Sequence, residues 1–193
     1  MKTLSKLFAF VMIAMLSVNV MAADKPSSKK KQTPQNLYLK SAEVPAFIKA
    51  HKNTLFIDVR TPAEVEYVGY SYLMDKNIPV HFVNFKKWNT KKSRFSDTPR
   101  NKKFVADVEK ALKAKGLTKA DNIIFMCRSG SRSAYASKKL DKAGYKNVYT
   151  VVDGFEGGKD KKYKQRTVSG WKLTAPKNTW GYKLDKTKMY GVN

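Results

Sequence analysis

The stretch 121–144, DNIIFMCRSGSRSAYASKKLDKAG, constrains this chain more than any other. Ile123–Met126 is a short, unbroken apolar run, the pattern of a strand buried on both faces of a parallel sheet. It ends at Cys127, the only cysteine in 193 residues. Small and cationic residues follow, from Arg128 to Arg132. The next segment predicts a helix beginning near Ser131, with Ala136, Leu140 and Ala143 on one face and Gly144 at its C-terminus. The pattern therefore sets a lone thiol between the end of a strand and the start of a helix. Open α/β sheets bind their ligands at that edge.

The same alternation recurs along the chain. Leu37–Leu39 predicts a short edge strand, and Ser41 is placed to cap a helix with Val44, Phe47 and Ile48 on its apolar face. Leu55–Val59 predicts a second buried strand, followed by the capping box Thr61-Pro62-Ala63-Glu64 and a helix that stops at Gly69. Ile78–Val83 is a further candidate strand, while Lys86–Arg100 is basic and carries no regular pattern. Residues 102–115 form an amphipathic helix pattern, and Val148–Val152 a last strand. Strands alternating with helices predict an α/β fold with a mostly parallel sheet covered on both faces. Residues 24–36 are rich in Pro, Ser and Lys and are expected to be a flexible leader, and residues 159–193 an irregular extension packed on the domain by its aromatic rings.

Residues 1–23 carry Lys2 and Lys6, then an apolar run, then Met21-Ala22-Ala23 as a small-residue cleavage region. This is the pattern of a secretory signal peptide, too short for a convincing membrane span. The mature protein is expected in a bacterial periplasm, without a stable membrane anchor. In an oxidising compartment structural cysteines come in pairs, so a single one reads as a free reactive thiol rather than an inert core residue. The formal charge of +24 is spread over the whole chain, and no nucleic-acid motif accompanies it. Nucleic acid is therefore not an expected partner. The charge suits steering of small anions and contact with anionic envelope components, an envelope protein among them.

A thiol is reactive as its anion, and three influences favour that form at Cys127. They are the N-terminus of the following helix, the converging amides of the loop, and the cations of Arg128 and Arg132. Cysteine-dependent phosphatases place their phosphate-gripping arginine six positions after the nucleophile, which here is Ser133. Arg132 stands at the fifth position. The shorter cradle favours sulfur over a phosphoryl group.

Cys127-Arg128-Ser129-Gly130-Ser131-Arg132-Ser133 resembles the active-site loop of the rhodanese family of sulfurtransferases. Ile57-Asp58-Val59-Arg60 with Thr61–Glu64 resembles the family's first signature, and Ala143–Tyr149 with Gly157-Gly158 its closing segment. The resemblance spans residues 37–158 and implies one rhodanese domain, with a five-stranded parallel sheet and helices on both sides. It implies a persulfide on Cys127, loaded from a small sulfur-containing anion such as thiosulfate and discharged to cyanide or a thiol. Arg128, Ser129, Gly130, Ser131, Arg132 and Ser133 would bind the substrate, while Asp58 and Arg60 read as structural charges near the site. His51 and His81 have no carboxylate or cysteine at metal-ligand spacing, so neither a metal nor a cofactor is expected. Two alternatives stay open: a non-enzymatic sulfur-carrier or binding module, and a cysteine phosphatase or arsenate reductase.

Overall fold

The computed structural model describes residues 23–97 and 99–192. The signal-peptide expectation lies outside the described residues except for Ala23. In chain order the elements are β1 (Tyr38–Leu39), α1 (Val44–Ala50), β2 (Thr54–Asp58), α2 (Pro62–Val68), β3 (Tyr70–Ser71) and β4 (Lys76–Asn77). They continue with β5 (Asn84–Asn89), β6 (Arg94–Asp97), α3 (Phe104–Ala114), β7 (Asn122–Met126), α4 (Ser131–Lys142), β8 (Val148–Val151), α5 (Trp171–Thr174) and β9 (Trp180–Gly181).

Five strands make the central sheet in the order β1-β8-β7-β2-β4, and every pairing in it is parallel. Period-two alternation divides the apolar side chains between two cores. On β2, Leu55 and Ile57 face one side and Phe56 the other; on β7, Ile123 and Phe125 face the first side and Ile124 and Met126 the second. The first core is closed by Phe104, Val108 and Leu112 of α3 and by Ala136 and Leu140 of α4. The second is closed by Val44 and Phe47 of α1, Val65 of α2, and Trp171, Ala175 and Met189 from the C-terminal extension. Both faces of β7 are thus sealed, which is why its sequence reads as one apolar run. The sheet is the five-stranded parallel sheet expected, with helices on both faces.

Four local expectations need correction. Residues 24–36 are not a free leader. Lys31 Nζ donates to the Val152 carbonyl at 2.9 Å, Ser137 Oγ lies 2.7 Å from Gln35 Oε1, and Thr33 is buried. The composition is that of a linker, but these long-range contacts hold it along α4. Ser41 does not cap α1: it opens a 3-10 turn, Ser41–Glu43, and turns its hydroxyl to Asp153 at 2.7 Å. The strand expected over Ile78–Val83 is β4, two residues earlier. There Asn77 sits opposite Asp58, and the Asn77 amide donates to the Asp58 and Arg60 carbonyls. Lastly, residues 86–100, expected to be irregular, contain most of an antiparallel hairpin, β5–β6. Its signal is hidden by lysines, and what holds it is a ring cluster: Phe95 meets Phe85 at 5.2 Å and Trp88 at 5.3 Å, both edge-on.

Candidate active site

Cys127 follows the last residue of β7, and α4 begins at Ser131. The loop between them turns inward because Gly130 takes φ = 99°, a left-handed conformation that glycine adopts at little cost. A Cβ there would stand 2.4 Å from the Val152 carbonyl oxygen, so the loop also needs glycine for close packing. Turned this way, the Gly130 N–H donates to Cys127 Sγ at 3.1 Å. Cys127 sits at the base of the loop and is 1% exposed. The sulfur thus carries one backbone donor and lies beside the N-terminus of α4, the positive end of the helix.

A second segment clamps this loop from below. The amides of Phe155, Glu156 and Gly157 donate to the carbonyls of Cys127 and Arg128 at 2.8–3.2 Å. Gly154 makes the approach possible, since a Cβ on it would lie 2.5 Å from the Cys127 oxygen and 2.6 Å from the backbone of Arg128 and Ser129. The clamp is itself anchored by Asp153, whose carboxylate accepts from the Ser41 amide and hydroxyl and from the Gly170 amide. The sequence marks this support only by the glycines at positions 154 and 157.

Asp58 and Arg60 form a fully buried ion pair one strand away, with Nη2 to Oδ2 at 2.7 Å and Nε to the two oxygens at 2.9 and 3.1 Å. Arg60 also donates to the Gly69 carbonyl at the end of α2 and lies 4.1 Å from the centre of the Phe155 ring. The pair therefore joins β2, α2 and the clamp. Its side chains bond to one another and to the Gly69 carbonyl, whereas the donor on Cys127 Sγ is the Gly130 amide.

The loop residues expected to bind substrate fall into two groups. Arg128, Ser131 and Arg132 line a cavity of about 390 Å³ together with Thr61, Glu64, His81, Phe82, Val83, Arg94 and Phe95. Ser129 is half-buried, and Gly130 and Ser133 are buried under the loop, outside that lining. Arg132 is held by Glu64 through two parallel hydrogen bonds at 2.6 and 2.5 Å. Its charge is thereby shared with a carboxylate, and attraction of an anion falls more on Arg128 and Arg94. Glu64 caps α2 as the capping-box pattern predicts, accepting from Thr61 N–H at 3.0 Å, and it positions Arg132 as well. Five further cavity residues come from segments that gave no site signal: His81, Phe82 and Val83, and Arg94 and Phe95 of the hairpin. Arg166, from the extension, donates to the Gly157 carbonyl and adds a cation near Arg128.

The electrostatics of the Glu64–Arg132 pair yield a prediction. Burial pushes the Glu64 carboxyl up, but the hydrogen bonds and charge of Arg132, helped by the Thr61 amide, outweigh it and hold the pKa at about 2 against an ordinary 4.5. Burial likewise opposes the Arg132 cation, and Glu64 again wins, raising its pKa. A depressed carboxyl contributes stability that is complete above its unfolded pKa and is lost as pH falls through its folded one. The excess stability of wild type over Glu64→Gln should therefore be constant above about pH 5 and shrink as pH falls from 4.5 towards 2. Urea midpoints of the two proteins across this range check it, and a difference independent of pH would contradict it. His81 behaves oppositely: burial and the nearby cations Arg132, Arg100 and Lys139 lower its pKa, so the ring stacked 5.0 Å from Tyr135 is neutral at pH 7.

A doubly covered parallel sheet with a cysteine loop at a strand's carboxyl end defines an α/β protein with a thiol at the ligand-binding edge of its sheet. The Rhodanese-like domain model matches residues 42–161, and the chain belongs to that family. Among curated relatives, an uncharacterized protein of Rickettsia conorii is 35% identical over 120 residues, covering 62% of this chain and 84% of the relative. An uncharacterized protein of Rickettsia prowazekii is 34% identical over 119 residues, covering 61% and 83%. The crystal structure of Rv0390 from M. tuberculosis superposes with a TM-score of 0.53 at 26% identity, over 75% of this chain and 96% of that one.

Proposed function

We propose that the protein is a periplasmic sulfurtransferase that moves a sulfane sulfur from a small anionic donor such as thiosulfate to a nucleophilic acceptor through a persulfide on Cys127. The observation that carries this reading is the Gly130 amide, 3.1 Å from Cys127 Sγ, at the start of α4. In the first step the Cys127 thiolate attacks the outer sulfur of thiosulfate. The donor's S–S bond breaks, its electron pair leaves with sulfite, and Cys127 keeps the outer sulfur as a persulfide anion. In the second step an acceptor thiolate or cyanide attacks that outer sulfur, and the electron pair of the breaking S–S bond returns to Cys127. No external oxidant or reductant is needed. This is covalent catalysis by an activated cysteine, with the loop amides stabilising charge on sulfur.

Membership of the family supports the reaction class, and the loop's length supports sulfur over phosphate. The periplasmic part rests on the pattern of residues 1–23. Sulfite release tests the reaction. Purified protein given thiosulfate alone should release one sulfite per chain in a burst and then stop. Added cyanide should restore continuous release with formation of thiocyanate. A burst without turnover on any acceptor would indicate a sulfur carrier; no burst, with hydrolysis of a phosphate ester, would indicate a phosphatase.

A further inference from the structure

Building on the sulfur-transfer reading, we propose that the β5–β6 hairpin completes an acceptor subsite for a carboxylate-bearing thiol of small-peptide size, recognised by Arg94 and Arg128. Size is the first argument. At about 390 Å³ the cavity beside the cysteine loop is in the range of sites that enclose whole organic ligands, and thiosulfate or cyanide would leave most of it empty.

Charge is the second. Of the three arginines in its wall, Arg132 is matched by Glu64 at 2.5 and 2.6 Å. Arg94 and Arg128 have no carboxylate partner among the described residues. Two guanidinium groups without a counter-charge, in the wall of a cavity beside the loop that carries Cys127, suit a ligand with carboxylates remote from its reacting atom. Phe82, Val83 and Phe95 supply an apolar wall for the body of such a ligand.

The hairpin's architecture is the third argument. β5 pairs only with β6 among the described strands, and Phe85 and Trp88 are 66% and 57% exposed, so the hairpin adds little to either core. A two-stranded hairpin is marginal by itself. Here its rings brace Phe95, and Phe95 and its neighbour Arg94 are the residues that reach the cavity. In the transfer step the acceptor thiolate attacks the outer sulfur of the Cys127 persulfide. A new S–S bond forms on the acceptor, the bond to Cys127 Sγ breaks, and its electrons return to Sγ.

The test begins from protein loaded with thiosulfate and freed of excess donor, so that only discharge is observed. Loss of the outer sulfur is followed by intact mass against increasing glutathione, and separately against glutathione diethyl ester, which has the same thiol without the carboxylate charge. Wild type should reach half its maximal rate at a glutathione concentration about three- to tenfold lower than for the ester. Arg94→Ala should bring the two to within about twofold, and Arg94→Lys should keep part of the gap. Equal concentrations in wild type, or an unchanged gap in Arg94→Ala, would overturn the subsite while leaving sulfur transfer intact. A wild type that never loads sulfur would sink the transfer reading itself, and the subsite with it.

Discussion

Cys127→Ser is expected to lower sulfur transfer from thiosulfate by more than about a thousandfold while leaving the fold in place. The loss is chemical. The intermediate requires a sulfur–sulfur bond, and a serine oxygen cannot form it. The fold should persist because a hydroxyl fits in the space of the thiol and can still accept the Gly130 N–H, which now reaches Sγ at 3.1 Å. The residue is 1% exposed and belongs to the same core as Ile57, Val59 and Phe125, so a cost of about 1 kcal/mol is expected from burying the hydroxyl. Steady-state thiocyanate formation and a thermal melt measure the two effects separately. Turnover above roughly one-thousandth of wild type would mean that the sulfur is carried elsewhere.

The second large effect is on stability. Asp58→Ala should cost about 3–5 kcal/mol, because it leaves the Arg60 guanidinium buried without a counter-charge. Both side chains of the pair have no solvent exposure, and four hydrogen bonds run from the Arg60 amide and guanidinium to the Asp58 carboxylate. Removing the anion strands a cation whose other contacts are one carbonyl, Gly69, and the face of Phe155. Replacing both residues by well-packed apolar ones should cost far less than either single deletion, since neither charge is then left alone. Because Phe155 donates its amide to the Cys127 carbonyl at 2.8 Å, the single variant should also lose activity at temperatures where it is still folded. Urea unfolding of wild type, Asp58→Ala and the double variant checks the energies. A cost under about 1 kcal/mol for Asp58→Ala would show that the pair is solvated in practice.

The sequence revealed what was local. Cys127, Gly130 and the start of α4 lie within a few residues of one another, so an apolar run, a glycine and a helix pattern sufficed to assemble them. The capping box of α2 was visible for the same reason. Contacts made by distant residues were not. Glu64 and Arg132 are 68 positions apart, and nothing in either neighbourhood announces that one holds the other. The Asp153–Gly157 clamp works through backbone amides, which any residue but proline possesses, leaving only its glycines as a trace. The leader was misread because Pro, Ser and Lys describe a linker by composition, whereas Lys31 and Gln35 are fixed by partners more than a hundred residues away. The hairpin was missed because its strands bury almost nothing and are held by three rings interleaved with lysines, without the alternation that marks a half-buried strand. That omission mattered most for function, since Arg94 and Phe95 complete the cavity over the cysteine loop.

The central claim is that Cys127 carries the sulfur between donor and acceptor. Intact mass of the protein after incubation with thiosulfate and removal of the excess tests it most directly. The account predicts a gain of one sulfur atom in wild type, reversed by cyanide and absent from Cys127→Ser. An unchanged wild-type mass, or an equal gain in Cys127→Ser, would contradict it.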